Sequence, residues 1–455
     1  MEIKIPYGKE FMVFDAPDAR VKAVLSPRKA FCADATGSLG SSDSLGLPDS
    51  MCATDTGKPN AGRASTEEEL VSGALSNPIG SLPLHELAAG KHKVTIITSD
   101  HTRPMPSRTT MPMLLEEVRR GSPVADITIL VATGLHRATT DEELRERFGE
   151  EICGKERIIV HDCRDEASLR DIGTLPSGRP LALSRHALDA DLLIAEGFVE
   201  PHFFAGFSGG RKSVFPGVAG YECVVSNHSS DFISNRNARA GILEGNPIHM
   251  DMAFAAKKAK LAFILNVILD EGRSIIGAVA GDPETAHAEG CAQLMKDAAV
   301  EGVCAPIVVT SNGGYPLDQN LYQLVKCIDT AEKCCEEGGV IIAVGECIDG
   351  IGGEAFYNDF SGGAGPGDLG ILFSSRAPAE TQTDQWQSQI LARILEKHRV
   401  VVVSPLIKDA LIEMRLDWAE TPNDAVSKAD AMLGTPSGKA ADIVVIPNGL
   451  GVVVL

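Results

Sequence analysis

The stretch Asp191–Gly217, DLLIAEGFVEPHFFAGFSGGRKSVFPG, joins an apolar run to a loop rich in glycine and polar residues. The run DLLIAEG is apolar almost throughout, which is typical of a strand buried on both faces of a parallel sheet. Similar runs recur along the chain: VTIIT, ITILVA, RIIVHD, IVVTSNGG, GGVIIAVGE, RVVVVS and DIVVIPNG. Helical patterns such as TTMPMLLEEVRRG, TTDEELRERFG and AETQTDQWQSQILARILEKH lie between several of them. The sequence therefore predicts an α/β fold with mainly parallel sheets flanked by helices.

The chain length of 455 residues indicates two domains. The segment NVILDEGRSIIGAVAGDPETAHAEG separates two groups of predicted strands and places the boundary near residue 300. We expect an N-terminal α/β domain at residues 1–300 and a C-terminal α/β domain at residues 301–455, with the active site in the cleft between them. Residues 33–65 are rich in Gly, Ser, Asp and Pro without periodicity, so we expect a flexible insertion there.

Charge and cysteine usage limit the compartment and the partners. The formal net charge of -20 argues against a surface for nucleic acid or anionic membrane, because both require clustered basic residues. The 11 cysteines form no C-x-x-C pair or repeating framework, which favours a reducing compartment. No signal peptide and no run of 18 apolar residues is found. We expect a cytoplasmic protein that binds neither nucleic acid nor membrane.

Four predicted strands are followed directly by polar loops: TSDHTRPMP, ATGLHRATT, EGFVEPHFF and TSNGGYPLDQN. Ligands of open α/β sheets bind at the carboxyl ends of strands, so these loops could form one site. In the first loop, Arg103 could bind a carboxylate or phosphate through two parallel hydrogen bonds, or it could pair with Asp100 and brace the loop. In the fourth, Gln323 and Lys326 lie three residues apart on one face of the next predicted helix.

Only some of the histidines are candidates for a functional role, because most histidines in proteins are structural or lie at the surface. His136 directly follows a predicted buried strand and suits proton transfer near neutral pH. His202 and His228 lie on either side of the glycine-rich segment GFSGGRKS, which contains Lys212. The histidines set aside as structural or surface residues are His92, His161, His186, His287 and His398.

The segment GFSGGRKS differs by one residue from the phosphate-binding pattern G-x-x-x-x-G-K-[ST], since Arg211 occupies the position of the last glycine. A nucleotide triphosphatase is therefore one alternative, which magnesium-dependent ATP binding would reveal. No H-x-x-x-H or C-x-x-C spacing occurs, so a metal would take most of its ligands from another molecule.

The blocks SNPIGS, SDHTRPMPS, ILVATGLHR, HFFAGFSGGRKSVFPG, NHS, SNGGYPLDQNLYQ, DQWQSQILARIL and VIPNGLGV, in this order and spacing, resemble the nickel-dependent lactate racemase family. The resemblance covers nearly the whole chain outside residues 33–65. It implies a cofactor in which nickel is held by pyridinium-3,5-bisthiocarboxylic acid mononucleotide, a pincer ligand that dedicated maturation enzymes build.

The resemblance also implies a role for each candidate residue. It implies that Lys212 is the covalent tether of the cofactor and that His228 is the nickel ligand. It also implies that His136 and His202 are the two acid/base catalysts and that Asp100 supports the cofactor or Arg103. The implied substrate contacts are Arg103, which binds the carboxylate, and Gln323, Lys326 and Trp386.

The chemistry of a 2-hydroxy acid gives an independent reason for two bases. Removing the α-proton beside an ionised carboxylate would create an unstable dianion, whereas a hydride route with loss of the hydroxyl proton gives a 2-keto acid. Each enantiomer then needs its own base. We expect a racemase for a short 2-hydroxy acid, foremost D- and L-lactate. Malate, gluconate and larger 2-hydroxy acids are alternative substrates, and assays with a panel of substrates would distinguish them. A storage protein for the cofactor is an alternative function, but storage gives no reason for two bases.

Overall fold

The computed structural model describes residues 1–28, 65–270, 272–434 and 440–455. The expected insertion lies outside these ranges, apart from residue 65. The strands are β1 (Glu2–Tyr7), β2 (Glu10–Asp15), β3 (Val21–Val24), β4 (Lys93–Ser99), β5 (Asp126–Ala132), β6 (Arg157–Val160), β7 (Leu169–Thr174), β8 (Pro180–Ser184), β9 (Leu192–Phe198), β10 (Pro201–His202), β11 (Gly206–Phe207), β12 (Leu261–Leu269), β13 (Ile275–Gly281), β14 (Ala299–Val300), β15 (Ala305–Ser311), β16 (Cys335–Val344), β17 (Arg399–Val403), β18 (Asp417–Ala419), β19 (Ile443–Ile446) and β20 (Val453–Val454).

The helices are α1 (Glu67–Ser76), α2 (Leu84–Ala88), α3 (Ser107–Gly121), α4 (Asp141–Lys155), α5 (Arg185–Leu188), α6 (Tyr221–Asn227), α7 (Ser230–Ile233), α8 (Pro247–Lys258), α9 (Thr285–Ala298), α10 (Leu321–Glu332), α11 (Glu354–Ser361), α12 (Pro366–Ser375), α13 (Gln385–Leu395), α14 (Lys408–Glu413) and α15 (Pro422–Met432). None of the helices in the described ranges is long and apolar enough to cross a membrane.

The first large sheet has the strand order β13-β12-β9-β4-β5-β6. Its strands are parallel except β13, which pairs antiparallel with β12 at the edge. One face is covered by α1 to α4. In α3, Met111, Leu114 and Val118 recur at intervals of three and four residues, so they share one side of the helix and pack into the core. Helices on a parallel sheet are the arrangement that the apolar runs predicted.

The second large sheet has the order β18-β17-β16-β15-β19-β3, and all of its pairs are parallel. The apolar sides of α10 and α13 pack on one face, with Leu324 and Leu391 fully buried. The hairpin β1–β2 and helix α15 contribute Phe14 and Val426 to the core on the other face.

The structure differs from the sequence prediction at the N-terminus. Strand β3 pairs with β19 of the second sheet, and the hairpin β1–β2 packs on that sheet. The first 24 residues therefore belong with the second sheet and not with the N-terminal domain to which the prediction assigned them. The segment taken as a separator contributes the end of β12, strand β13 and the start of α9, so it completes the first sheet.

The register of the first sheet brings its loops together. Ser99 of β4 lies opposite Ala132 of β5, and Ile97 of β4 lies opposite Ala195 of β9. Since these strands are parallel, the loops that follow them emerge at one edge of the sheet. A core cluster that includes Phe215, Val224, Leu324 and Trp386 joins the two large sheets behind that edge.

Candidate active site

A cavity of about 470 Å³ lies where the loops of the first sheet face the second. The first sheet lines it with the loops after β4, β5 and β9, and the second with α10 and the segment that leads into α13. Every candidate residue lines this cavity: Asp100, Arg103, His136, His202, Lys212, His228, Gln323, Lys326 and Trp386. The five histidines set aside from the sequence do not line it. The four polar loops therefore converge on one site between the two sheets.

Asp100 and His136 form a hydrogen-bonded pair at the wall of the cavity. The Asp100 Oδ2 atom lies 2.6 Å from His136 Nδ1, and Oδ1 accepts hydrogen bonds from the Thr102 amide and hydroxyl. Burial alone would raise the pKa of Asp100, but the His136 and Arg103 charges and these hydrogen bonds outweigh it and hold the pKa below its ordinary value. An ionised carboxylate only accepts, so His136 Nδ1 carries a proton and Nε2 is left to take one.

The loop after β4 is braced by a half-buried arginine that sequence reasoning did not identify. Arg147 donates to the carbonyl oxygens of Asp100, Arg103 and Met105. The Arg103 guanidinium itself donates to the Thr102 hydroxyl at 3.0 Å, while His136 Nδ1 is the hydrogen-bond partner of Asp100 Oδ2. Arg147, and not an Arg103–Asp100 pair, thus holds the loop, and Arg103 faces the cavity.

A buried carboxylate fixes the strand ends behind this loop. Glu196 in β9 is fully buried and accepts hydrogen bonds from the hydroxyls of Thr98, Ser107 and Thr110 at 2.5–2.7 Å. These bonds join β9, β4 and α3 below the Asp100 loop. Each satisfies a polar group that would be costly to bury without a partner.

His202 occupies surroundings unlike those of His136. Its Nδ1 atom accepts a hydrogen bond from the Ala205 amide at 3.3 Å, and its ring contacts Phe203 and Phe204 with centroid distances of 5.1 and 4.6 Å. Burial, followed by the charges of Lys212 and Lys326, lowers the pKa of His202 well below its ordinary value. The ring is therefore neutral before an anion enters the cavity.

The glycine-rich segment forms a short hairpin, β10–β11, followed by a four-residue 3-10 turn at Gly210–Ser213. A triphosphate loop instead leads from a strand into a long helix whose N-terminus faces the phosphates. Lys212 lies in the turn and lines the cavity. Burial, then the charges of Arg103 and Arg211, lower the pKa of Lys212 well below its ordinary value, which favours the neutral, nucleophilic amine.

Arg211, the residue that departs from the phosphate-loop pattern, is 4% exposed and binds inside the protein. Its guanidinium donates to the carbonyl oxygens of Ala205, Ser208 and Gly209, and it also contacts His249 and His287. An arginine at this position therefore hydrogen-bonds to the carbonyl oxygens of its own loop and contacts helices α8 and α9, which a glycine could not do.

His228 follows α6 and is buried at the inner end of the cavity. Phe204 and Trp386 each lie edge-on to its ring, with centroid distances of 5.0 Å, and its Nδ1 has no hydrogen-bond partner among the described residues. Burial and the Lys212 charge lower its pKa to about 3. A neutral imidazole with unoccupied nitrogens suits a metal ligand. In the described ranges, no group of three or more His, Cys, Asp or Glu side chains could hold a metal, so a metal here would take further ligands from another molecule.

The second sheet supplies the other wall. Gln323 and Lys326 lie on α10, and the pKa of Lys326 is lowered to about 7 by burial and by the Arg103 charge. Trp386 Nε1 donates to the Tyr322 hydroxyl at 2.9 Å. The cavity thus places several cations and hydrogen-bond donors around a space that suits an anionic ligand.

Comparison with known proteins decides the family. A curated lactate racemase from Thermoanaerobacterium thermosaccharolyticum is 46% identical over 99% of both chains, and one from Lactiplantibacillus plantarum is 48% identical over 86% of this chain and 91% of that protein. Family models for the lactate racemase N-terminal and C-terminal domains match residues 40–241 and 300–454. The chain belongs to the lactate racemase family. It is an isomerase of the racemase class.

Two solved structures have a similar fold, and one of them is a lactate racemase. The lactate racemase apoprotein from T. thermosaccharolyticum has a TM-score of 0.89 at 45% identity and covers 100% of both chains. A crystal structure of a protein from Thermotoga maritima, with a TM-score of 0.62 at 19% identity, covers 85% of this chain and 97% of that one and shares the fold.

Sequence reasoning did not single out Tyr322 and Asp384, which are among the side chains that line the cavity of this lactate racemase family member. The Tyr322 hydroxyl bonds to Asp384, whose backbone φ is 71°, and it also accepts from Trp386. Burial, followed by the neighbouring Asp384, raises the pKa of Tyr322 well above its ordinary value. Tyr322 precedes the candidate residue Gln323, and Asp384 is the first residue of the segment DQWQ. Nothing in the sequence spacing indicated that α10 and the start of α13 are in contact.

Proposed function

We propose that the protein interconverts D- and L-lactate, using nickel held by the pyridinium pincer nucleotide and two histidines as acid/base catalysts. One observation carries this proposal: His136 and His202 line the same cavity as the neutral His228, and their two rings are held by different partners. Two bases in one anion-binding cavity fit a reaction that must handle both enantiomers of one acid.

The residues present fit the cofactor. Lys212 would be its covalent tether, since burial among cations favours the neutral amine, and His228 would be its protein ligand to nickel. The cationic side chains of Arg103 and Lys326 compensate negative charge on the nucleotide and the substrate. When bound, the cofactor supplies the site that takes up and returns the α-hydrogen as hydride.

The remaining chemistry belongs to the side chains. Arg103 binds the substrate carboxylate with its planar fork, and Lys326 and Gln323 bind the hydroxyl that becomes a partly negative carbonyl oxygen. His136, held by Asp100, removes the hydroxyl proton of one enantiomer, and His202 does so for the other. Trp386 is fixed by Tyr322 and excludes water beside His228. Asp100 therefore acts through His136, a more specific role than the support of the cofactor or of Arg103 expected from the sequence.

The proposal includes two partners, the hydroxy acid and the maturation enzymes that build the nucleotide. It also places the protein in the cytoplasm. The cysteines in the described part of the chain are free thiols, which supports a reducing compartment.

The proposal is tested with protein produced together with the cofactor-building enzymes and nickel. L-lactate and D-lactate are incubated separately and analysed by chiral chromatography, while intact mass reports the adduct on Lys212. We expect both enantiomers to approach an equal mixture. Lys212→Ala should lose the adduct mass.

Malate and gluconate are assayed in parallel as alternative substrates. Conversion of one of them without conversion of lactate would replace the substrate and keep the reaction. Protein that carries the adduct and converts no 2-hydroxy acid would contradict the proposal.

A further inference from the structure

Glu200 lines the main cavity and also a second, much smaller one of about 20 Å³ behind it. The smaller cavity is lined by His202 and Lys326 as well, and its size is that of about one water molecule. The backbone of Glu200 is fixed, because its N–H donates to the Ser208 hydroxyl and its carbonyl accepts from the Ser208 amide. Glu200 and Lys326 therefore border both cavities.

Three acidic residues line the main cavity, and two of them are engaged. Asp100 pairs with His136, and Asp384 bonds to the Tyr322 hydroxyl. Within the part of the chain that the structure describes, the Glu200 side chain makes no hydrogen bond or ion pair at direct-contact distance. Its negative charge therefore acts on the cations of the cavity through space or through one solvent molecule.

We propose that Glu200 is a positioning residue for Lys326, whose carboxylate keeps the Lys326 side chain charged so that it can bind an oxygen of the anionic substrate. The role of Lys326 as a substrate contact rests on the proposed function, whereas the electrostatic link between Glu200 and Lys326 does not.

The charges around Lys326 show why a carboxylate matters there. Arg103 approaches from the loop after β4, Lys212 from the 3-10 turn, and His202 from the loop after β9, and all of them share the main cavity with Lys326. Burial and then Arg103 lower the pKa of Lys326 to about 7, while Glu200 acts in the opposite direction. Since a lysine is charged below its pKa, the ammonium is lost as pH rises through that value. Removal of Glu200 moves this loss to lower pH.

The link is tested in protein made without the cofactor. Wild type and Glu200→Gln are labelled with trace acetic anhydride over a pH series, and peptide mass spectrometry follows acetylation of Lys326, because only the neutral amine reacts. We expect the midpoint for Lys326 to fall by about one pH unit in Glu200→Gln. Glu200→Asp, which keeps the charge, should stay near wild type. Glu222→Gln removes an exposed carboxylate outside the cavity and serves as the matched control.

Equal Lys326 midpoints in wild type and Glu200→Gln would overturn the proposal, whatever the activity of the enzyme. In cofactor-loaded protein, the pH above which KM for the substrate rises must also move down in Glu200→Gln. A KM profile that stays the same in this variant would likewise contradict the role of Glu200. Failure of the racemase assay would leave the labelling result intact, so the two claims are separable.

Discussion

At the scale of single residues, His136 and His202 line the same cavity but have different hydrogen-bond partners. His136 Nδ1 donates to the ionised Asp100, whereas desolvation and the neighbouring cations lower the pKa of His202. Because the pKa of His202 is lowered, we expect an anion in the cavity to favour proton uptake by this ring.

The Asp100–His136 pair gives a direct prediction. Asp100→Asn keeps the size of the side chain but can donate to His136 Nδ1, which places the ring proton on Nε2 and removes the base. We expect racemisation to fall by about 100-fold or more, by analogy with the loss of the orienting carboxylate in catalytic triads. Initial rates in both directions, with adduct mass verified, measure this. Asp189→Asn, which removes an exposed carboxylate paired with Arg170, should keep the wild-type rate.

The requirement for two bases is tested by removing each ring. His136→Ala and His202→Ala should each lower the racemisation rate by about 100-fold or more, because each direction uses one ring to accept the hydroxyl proton and the other to return a proton to the keto oxygen. Chiral chromatography of product from each enantiomer gives the rates, and the exposed His92→Ala provides the control. Wild-type rates in either cavity variant would exclude a two-base mechanism.

Much of the site could be predicted at this scale because the loops after buried strands carry its polar side chains. Tyr322, Asp384, Glu200 and Arg147 escaped because their importance depends on contacts between distant segments. Arg147, for example, lies in α4 on an ordinary charged helix, and only the folded chain brings its guanidinium to the carbonyl oxygens of the Asp100 loop.

At the scale of elements, the turn Gly206–Ser213 owes its shape to Arg211. Positive φ angles at Gly206, Gly209 and Gly210 permit the tight path, and a Cβ at Gly209 would meet the Phe198 carbonyl and the Asn266 side chain. Arg211 then satisfies three carbonyl oxygens of the same segment. A phosphate-binding loop also needs glycines for a tight backbone path, which explains why its sequence pattern resembles this turn.

Replacement of this arginine should destabilise the fold. Arg211→Met leaves the Ala205 carbonyl and His249 Nδ1 without the donor that Arg211 supplies, although it also removes a buried charge, so we expect a loss of about 2–4 kcal/mol in the free energy of unfolding. Urea unfolding at constant pH measures it, with the exposed Arg157→Met as control. A change below about 0.5 kcal/mol would show that the turn holds itself without Arg211.

At the scale of the whole molecule, two parallel sheets place their loops around one cavity. The apolar runs predicted eight of the twelve strands that the structure describes in the two large sheets, because a strand buried on both faces leaves a continuous apolar signature. Strands β3, β12, β13 and β18 were not predicted. The pairing of β3 with β19 could not be predicted, since local patterns carry no information on which distant strand a short N-terminal segment will join. For the same physical reason, the predicted domain at residues 1–300 included the N-terminal segment that pairs with the second sheet.

The central claim is that the side chains move only the hydroxyl proton and that the α-hydrogen never exchanges with water. The most direct measurement uses L-lactate carrying deuterium at C2, incubated with cofactor-loaded enzyme in ordinary water, with the D-lactate product analysed by mass spectrometry. We expect the D-lactate to retain deuterium at C2. Replacement of that deuterium by hydrogen from the solvent would show that a base abstracts the α-proton, and it would contradict the assignment of His136 and His202 to the hydroxyl.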